Sequence, residues 1–504
     1  EAPSSSSSSS SSCSISSGSS SSLSSAPLCF ASSSSTSPVL STADCATALY
    51  HAYEHLLAHH LVSAFAEEAK RHSALSAEPS VAELTCVQRP LEVSEKLAAR
   101  LLLSGGWTDL PPPTLEGAGG LLINGAITID RNMPITAKAR RIPEPVLRLS
   151  SDDRGAGDLH SIEELYTFRD PHSSFSLHKA VVVFCVPWLW CGRRPLVGDD
   201  GVRLLRLFLG PEGGIELHTE VNLPRGTGLG TSSILMLAAL RALTHLTGFT
   251  WWQQVVATPE KAPANPLPDL CEPLSPLQCA EVNAVLAIEQ LLTTGGGWQD
   301  QVGALLPGLR LTASAPGPPP LSYWSRTFHF STKMAHHINE RFLLVYSGQQ
   351  RLAKNTLRRV VSQWCDGGSI IRELFDALYE ASVDLKEPFL TLEALSERDP
   401  ELTNRETVVC FEDCLLKIGS ILSRVFELNR KLLPDSFTTS TIDQMCARLL
   451  PLCHGMHLLG AGSGGFLLII TKNDEINTVR IEQLLHEHEF PLATVHQIHL
   501  TEVQ

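Results

Sequence analysis

The chain has 504 residues, of which 43% are hydrophobic and 18% are charged, so it is long enough for two or three compact globular domains. Its formal net charge of −14 argues against a protein that binds nucleic acid or an acidic membrane, because both partners need a basic surface. The 13 cysteines lack the paired spacing of a zinc site, and the longest apolar runs are too short to span a bilayer. We therefore expect free thiols and a cytoplasmic protein without a membrane or nucleic-acid partner, whose oligomeric state stays open.

The first part of the chain gives little indication of compact structure. Serine dominates residues 3 to 41 and cannot bury enough apolar surface to offset the entropy of ordering, so residues 1–41 are predicted to be disordered. Residues 42–95 carry apolar side chains at helical spacing, such as Leu49, Tyr53 and Leu56, and are predicted to form a helical connector. Since the chain begins at Glu1 rather than Met, we expect it to be a fragment of a longer protein.

From about residue 91, strands and helices are predicted in turn. Short apolar segments between turns predict strands at 97–103, 121–129, 137–142, 181–187 and 214–221. Apolar helices are predicted at 234–246 and 279–292, and prolines at 316–320 mark a domain boundary. Beyond it we predict a strand at 342–346, amphipathic helices between 351 and 450, and a closing strand pair at 465–470 and 496–501. The fold class is α+β.

The sharpest local feature is a glycine-rich stretch at 223–234, which follows a predicted strand and opens a predicted helix. Its glycines at 226, 228 and 230 let the backbone turn tightly, and a helix N-terminus supplies unpaired N–H groups that bind phosphate. The hydroxyl groups at 231–233 can cap the helix, contact a phosphate or bind Mg²⁺. No lysine follows the glycines, as a Walker loop would require, and their even spacing does not fit a Rossmann loop. A tight turn before a capped helix is the alternative interpretation.

A second glycine-rich stretch, at 458–466, has the G-x-G-x-x-G spacing at 460, 462 and 465. A predicted strand follows it, whereas a dinucleotide-binding loop leads into a helix. This stretch therefore predicts a turn near a phosphate rather than a dinucleotide fold.

Three stretches, in order along the chain, resemble the three motifs of the GHMP kinases, the superfamily that contains galactokinase and mevalonate kinase. They are residues 99–112, 223–233 and 458–466. Two segments, Ser104-Gly-Gly-Trp-Thr-Asp109 and Gly295-Gly-Gly-Trp-Gln-Asp-Gln301, resemble the fucokinases within this superfamily. The resemblance covers residues 97–504 and corresponds to the C-terminal kinase half of L-fucokinases.

The resemblance implies a GHMP kinase fold, with an ATP-binding domain at 96–320 and a C-terminal domain at 321–504. Each domain would contain a mixed or antiparallel sheet with helices, and the active site would lie in the cleft between them. The implied activity is that of a sugar 1-kinase, which uses ATP and Mg²⁺ to phosphorylate the anomeric hydroxyl of L-fucose on a salvage route to GDP-fucose.

The resemblance also implies roles for individual residues. Asp300 would be the catalytic carboxylate and Arg100 its cationic partner, while Glu289, eleven residues before Asp300, would bind Mg²⁺ together with Ser232. The sugar would contact Gly105, Gly106, Trp107 and Asp109. The residues expected at the ATP phosphates are Pro224, Gly226, Gly228, Leu229, Gly230, Thr231, Ser232, Ser233, Gly462 and Gly464.

Two positions depart from the fucokinase pattern, and other functions stay open. Leu102 stands where fucokinases have an aspartate or asparagine, and Ser463 replaces a glycine of the third motif. One alternative is a kinase for a related sugar, either arabinose or a heptose phosphate, the latter requiring additional cations. Another is a degenerate nucleotide-binding scaffold, which Leu102 would favour and the intact pair of Arg100 and Asp300 would oppose.

Overall fold

The computed structural model describes residues 90–501 apart from 171, 186–201, 203–204, 207, 211–212, 225, 251, 254–255, 257–264, 293–294, 351–353 and 489. The chain divides into two compact units, and all described residues belong to the second, Ser41–Gln504. The predicted disordered segment 1–41 and most of the predicted connector 42–95 lie outside the described residues. The helical connector stays a prediction; of the span 42–95 only residues 90–95 are described, and a strand begins there at Glu92.

Fourteen strands and eleven helices are numbered here in chain order within the described residues. The strands are β1 Glu92–Leu97, β2 Ala99–Ser104, β3 Leu121–Ile129, β4 Ile135–Ile142, β5 Leu147–Ser151, β6 Gly155–Leu159, β7 Gly214–Val221, β8 Glu272–Pro273, β9 Leu309–Ser314, β10 Tyr323–Phe328, β11 Phe342–Tyr346, β12 Cys453–Leu458, β13 Phe466–Thr471 and β14 Thr494–Leu500. The helices are α1 Pro111–Glu116, α2 Ser176–Cys185, α3 Thr231–Thr247, α4 Pro276–Leu291, α5 Gln299–Leu305, α6 Thr332–Arg341, α7 Lys354–Cys365, α8 Ser369–Arg398, α9 Arg405–Leu432, α10 Ser440–Leu449 and α11 Thr478–Glu487. No helix of the described part is long and apolar enough to cross a membrane.

The smaller sheet has five strands in the order β1-β4-β7-β5-β6. All neighbours pair antiparallel except β5 and β7, which are parallel, so the sheet is mixed. Its apolar side chains share one core cluster with α2, α3 and α4. The chain runs from the end of β7 through the first glycine-rich loop into the N-terminus of α3, which packs on this sheet.

The larger sheet has nine strands, eight of them in the order β12-β13-β11-β14-β3-β9-β10-β8, with β2 paired to β3 beside this path. Every pairing is antiparallel. Strand β11 is apolar throughout because both of its faces are buried. Leu343 and Val345 join one core cluster, and Leu344 joins another on the opposite face. Helices therefore cover both faces here, and the predicted α+β class is confirmed.

Two predictions about strands are wrong. The segment 181–187 was predicted as a strand, but Val181–Cys185 ends helix α2, in which every residue from Ala180 to Cys185 is buried. A continuous apolar run does not distinguish a strand from a helix that is buried on all sides. The predicted closing strands exist as β13 and β14, yet they do not pair with each other because β11 lies between them.

The predicted division of the kinase at residue 320 stays a prediction. The larger sheet takes β3 and β9 from before this position and β10 to β14 from after it. The smaller sheet is built entirely from strands before residue 320. A shared sheet of this kind holds the elements on both sides of residue 320 in fixed register.

Candidate active site

A cavity of about 340 Å³ collects most of the residues that the sequence pointed to. Its walls come from β2, the N-termini of α3 and α5, and the helices α4 and α9. The predicted site residues that line it are Arg100, Gly106, Trp107, Gly226, Gly228, Gly230, Thr231, Ser232, Ser233, Glu289 and Asp300. Segments far apart in sequence thus meet at one cavity.

An ion pair between Arg100 and Asp300 forms one wall of the cavity. Arg100 Nε donates to Asp300 Oδ1 at 2.8 Å, and Nη2 donates to the same oxygen. The Arg100 side chain is almost fully buried, at 3% exposure, whereas that of Asp300 keeps 22%. Because the guanidinium is shielded and the carboxylate still reaches the cavity, the pair presents a charged oxygen to a ligand.

Ser233 links Asp300 to Glu289. Its hydroxyl donates to Glu289 Oε1 at 2.5 Å and lies 3.3 Å from Asp300 Oδ2. Glu289 is buried at 5% exposure on α4, so this contact helps to hold a carboxylate inside the protein. Carboxylate and hydroxyl oxygens in this arrangement are ligands that suit Mg²⁺.

The first glycine-rich loop closes tightly against both Asp300 and the second loop. Gly230 has φ +74°, and a Cβ atom there would lie 2.8 Å from Asp300 Cγ. A Cβ atom on Gly228 would lie 2.4 Å from the carbonyl oxygen of Leu459. Both positions therefore require glycine, since any side chain would push the loop away from the acid or from its partner loop.

The loop leads into a helix end that is open to an anion. Helix α3 begins after Gly230 without a side-chain cap on its first turn. The first N–H groups of a helix that lack such a cap bind phosphate well, because they are unpaired and carry partial positive charge. The first glycine-rich loop, the N-terminus of α3 and the oxygens of Glu289 and Ser233 therefore fit a nucleoside triphosphate with Mg²⁺.

Comparison with known proteins agrees with this geometry. Residues 201–258 match the family model of the GHMP kinases N-terminal domain. The chain is 28% identical over 405 residues to the bifunctional fucokinase/GDP-fucose pyrophosphorylase of Arabidopsis thaliana, covering 80% of this chain and 32% of the relative. It is 28% identical over 394 residues to the L-fucokinase/L-fucose-1-P guanylyltransferase of Bacteroides fragilis, covering 77% of this chain and 35% of that protein. The chain thus spans about a third of the length of these relatives.

The fold has solved counterparts. The galactokinase of Lactococcus lactis superposes with a TM-score of 0.51 at 14% identity, covering 85% of this chain and 98% of that one. The chain has the GHMP kinase fold and a fucokinase-like sequence. Both the predicted resemblance and the predicted fold class are thereby confirmed.

Four residues that the GHMP motifs suggested for phosphate binding lie elsewhere. Pro224 lines a different cavity, and Leu229 is completely buried in the core. A Cβ atom on Gly462 would contact Phe437, and one on Gly464 would contact Gln349. Gly460 and Ala461 line the cavity in place of Gly462 and Gly464. Of the residues in the third motif, only Gly460 and Ala461 therefore line the cavity.

The prediction that Ser232 binds the metal stays a prediction, because two adjacent hydroxyls reach the cavity. Ser232 lines the cavity with an exposed side chain, but Ser233 makes the hydrogen bond to Glu289. Successive residues at a helix start point in different directions, about 100° apart around the axis. Which of the two hydroxyls would reach a metal on Glu289 could not be read from the order of residues alone.

On the sugar side, the structure brings Gly106 and Trp107 to the cavity but not Gly105 or Asp109. The Trp107 ring is almost buried, and its Nε1 donates to Asn429 Oδ1 at 2.6 Å. Trp107 has φ +76°, a conformation that this contact helps to hold. A partly apolar wall results, formed by Trp107, Leu102, Leu357 and Val425.

Asp109 has a supporting position instead of facing the cavity. Its carboxylate is 1% exposed, and Oδ2 accepts a hydrogen bond from the backbone N–H of Gln299 at 3.0 Å. Oδ1 has no hydrogen-bond partner among the described residues. Burial, helped by the charge of Asp300, raises the pKa of Asp109 to about 7. Asp109 thus fixes the first turn of α5, which carries Asp300, and its predicted contact with the sugar stays a prediction.

Four polar residues at the cavity were not identified from the sequence, the first of them Thr227 in the first glycine-rich loop. Gln299 lies inside the second fucokinase-like segment, directly before Asp300, and this position could have marked it. Asn429 lies on α9 and has no local motif. His457 lies on β12, immediately before the third motif.

Proposed function

We propose that the chain catalyses ATP-dependent phosphorylation of L-fucose at its anomeric hydroxyl, giving L-fucose 1-phosphate. The observation that carries this proposal is the Arg100–Asp300 pair, which stands against the phosphate-binding loop in one cavity. A carboxylate beside bound phosphates is what transfer to a hydroxyl acceptor requires. The choice of L-fucose rests on the names of the two relatives, each of which includes a fucokinase.

The proposed step uses the residues of the cavity as follows. The sugar O1 attacks the γ-phosphorus, a bond forms between them, and the bond from that phosphorus to the bridging oxygen breaks with ADP as leaving group. The proton of the O1 hydroxyl passes to the Asp300 carboxylate. Arg100 orients this carboxylate through two donors to Oδ1 and stabilises its charge before the transfer.

Glycine-loop amides and the N-terminus of α3 would hold the phosphates of ATP, and Glu289 with Ser232 or Ser233 would hold Mg²⁺. The metal would neutralise phosphate charge when bound. The fit rests on the uncapped helix end and on the oxygen donors at the cavity. The described cysteines are free thiols, as expected for a protein of a reducing compartment such as the cytoplasm.

A phosphorylated sugar is a poorer match to the cavity. Among the described residues that line it, Arg100 is the single arginine or lysine, and Asp300 already neutralises it. A heptose phosphate would carry about two additional negative charges at neutral pH, and the described lining residues offer no further cation to receive them. The cavity therefore favours an uncharged sugar.

The test is a kinase assay of the purified chain with MgATP and a panel of L-fucose, L-arabinose, D-galactose and a heptose phosphate. We expect L-fucose 1-phosphate to form, with the product identified by mass spectrometry and its position by phosphorus NMR. Turnover of another sugar in place of L-fucose would replace the substrate assignment. Binding of ATP without turnover of any sugar would instead support a scaffold, for which Leu102 at the cavity wall would be the first residue to examine.

A further inference from the structure

His457 is a buried histidine at the cavity that the mechanism does not use. It is the penultimate residue of β12 and lies opposite Leu468 of β13. Its neighbours Met456 and Leu458 belong to a core cluster on one face of the sheet, so the imidazole points to the opposite face. There the side chain is 2% exposed and lines the cavity together with Val425 and Asn429 of α9.

One ring nitrogen of His457 lacks a hydrogen-bond partner within the described part of the protein. Nδ1 of His457 is buried and has no hydrogen-bond partner among the described residues. A buried polar atom without a partner costs free energy, about 1–3 kcal/mol, and native proteins rarely keep one. The location of His457 at a ligand cavity supplies a reason, since a ligand can provide the missing partner.

The surroundings of His457 point to a neutral ligand group. Burial and the positive charge of Arg100 lower the pKa of His457 to about 3, so the ring is uncharged at neutral pH. A neutral imidazole offers one donor and one acceptor, which matches a hydroxyl group and gives no charge to a phosphate. Arg100 also marks the end of the cavity where Asp300 would meet the acceptor.

We propose that His457 hydrogen-bonds a hydroxyl group of the sugar and helps to determine which sugar the cavity accepts. This inference rests on the proposed sugar kinase function and adds a specificity-determining residue to it. His457 and Asn429 would offer polar groups to the sugar, and Trp107, which is hydrogen-bonded to Asn429, would offer an apolar surface beside them. A hydroxyl of opposite configuration would leave the imidazole unpaired and bind less well.

The variant His457→Leu tests this inference. Loss of one neutral hydrogen bond should raise the KM for L-fucose roughly tenfold, while the KM for ATP stays within about twofold. His457→Asn, which retains a donor and an acceptor, should recover part of the sugar affinity. Monodeoxy analogues of L-fucose give a sharper readout, because one of them should bind the unmodified protein poorly yet bind His457→Leu as well as L-fucose does.

His178→Leu is the matched control. His178 is also buried, its Nδ1 also lacks a partner among the described residues, and burial lowers its pKa to about 4. Its Nε2, however, lies 2.8 Å from Thr219 Oγ1 beside the smaller sheet, away from the cavity. His178→Leu should lower thermal stability without changing the KM for L-fucose or the ranking of the deoxy analogues.

The outcomes separate this inference from the proposed function. Sugar binding is followed by intrinsic tryptophan fluorescence as well as by turnover, since Trp107 lines the cavity. A protein that phosphorylates L-fucose but shows the same analogue ranking in His457→Leu would overturn the role of His457 and leave the function standing. A protein that binds a sugar through His457 without turning it over would support the role of His457 and sink the kinase proposal. Absence of sugar binding in the unmodified protein would overturn both.

Discussion

At the scale of single residues, the structure joins Arg100 and Asp300 across a sequence separation of 200 positions. Arg100 stands on β2 and Asp300 in the first turn of α5, and each element is held separately by its own packing. The ion pair between Arg100 and Asp300 therefore forms without movement of β2 or α5. A preorganised carboxylate of this kind is an efficient proton acceptor.

Asp300→Asn should lower kcat by about 10²- to 10⁴-fold, because the amide cannot accept the proton of the sugar hydroxyl. ATP affinity should stay nearly unchanged, since the proposed phosphate contacts are made by the glycine-rich loop and the N-terminus of α3 rather than by this side chain. Steady-state kinetics and calorimetric titration with ATP measure the two effects. Asp158→Asn is the control, as Asp158 also pairs with an arginine, Arg148, but on the smaller sheet. Equal kcat values for both variants would remove Asp300 from the chemistry.

Asp109 gives the protein a stability that depends on pH. Its pKa in the folded chain, about 7, lies above the ordinary value of 3.8, so the folded state binds the proton more tightly than the unfolded state does. The associated stability is present at low pH and is lost as the pH rises from about 4 through 7. The loss is on the order of a few kcal/mol.

Asp109→Asn should remove this decline, because the amide cannot ionise. Urea unfolding from pH 5 to pH 8 should show the unmodified protein losing stability with rising pH more steeply than the variant. Parallel curves for the two proteins would show that Asp109 does not titrate in this range. In activity assays the variant should lower kcat more than it changes the KM for sugar, since Asp109 acts through α5 and does not line the cavity.

At the scale of elements, the glycine-rich loop and α5 are fitted to each other. Gly230→Ala would impose a positive φ on alanine, at a cost of about 1–2 kcal/mol, and would place a methyl group 2.8 Å from Asp300 Cγ. Gly155→Ala has the same backbone problem at φ +73° but nothing within 4 Å of the new methyl group. We expect Gly230→Ala to lower thermal stability at least as much as Gly155→Ala, and a loss of kcat in Gly230→Ala alone. Full activity in Gly230→Ala would show that the loop has room to retreat from the acid.

The sequence predicted the elements that carry strong local signals. The glycine-rich loop before α3, the strands β3, β7 and β11, and the order of the three motifs all follow from short-range patterns. Helix α2 was missed because its apolar residues are buried on every side and show no helical periodicity.

The role of a site residue was harder to predict where that role depends on the direction of its side chain. Asp109 sits in a motif next to Trp107, yet it points back to the N–H of Gln299, which only the packing of α5 reveals. His457 reaches the cavity because β12 pairs with β13 in one register, and that pairing joins residues that are not local. Contacts of this kind depend on tertiary structure and leave no pattern in a short window of sequence.

At the scale of the whole molecule, the larger sheet ties the start of the described chain to its end. Strand β14 pairs with β11 on one side and with β3 on the other. Ending the chain after Ala493 would remove this strand and expose two unpaired edges in the middle of the sheet. We expect no cooperative thermal unfolding of that variant by circular dichroism. Ending the chain after Thr501 should preserve the transition, and a cooperative transition in both would contradict the central role of β14.

The position of β14 also has a consequence for biosynthesis. Strand β3 is synthesised well before its neighbour β14, which is the last strand of the sheet in chain order within the described residues. Until then the end of β3 at residues 127–129 and one edge of β11, both lined with apolar side chains, lack their β14 partner, while β9 already pairs with the rest of that edge of β3. Unpaired apolar strand edges attract other chains and chaperones. The nascent chain should therefore depend on chaperone protection between the synthesis of β3 and that of β14, and the cavity, whose wall includes β12 and the loop after it, can assemble only after β12 is made.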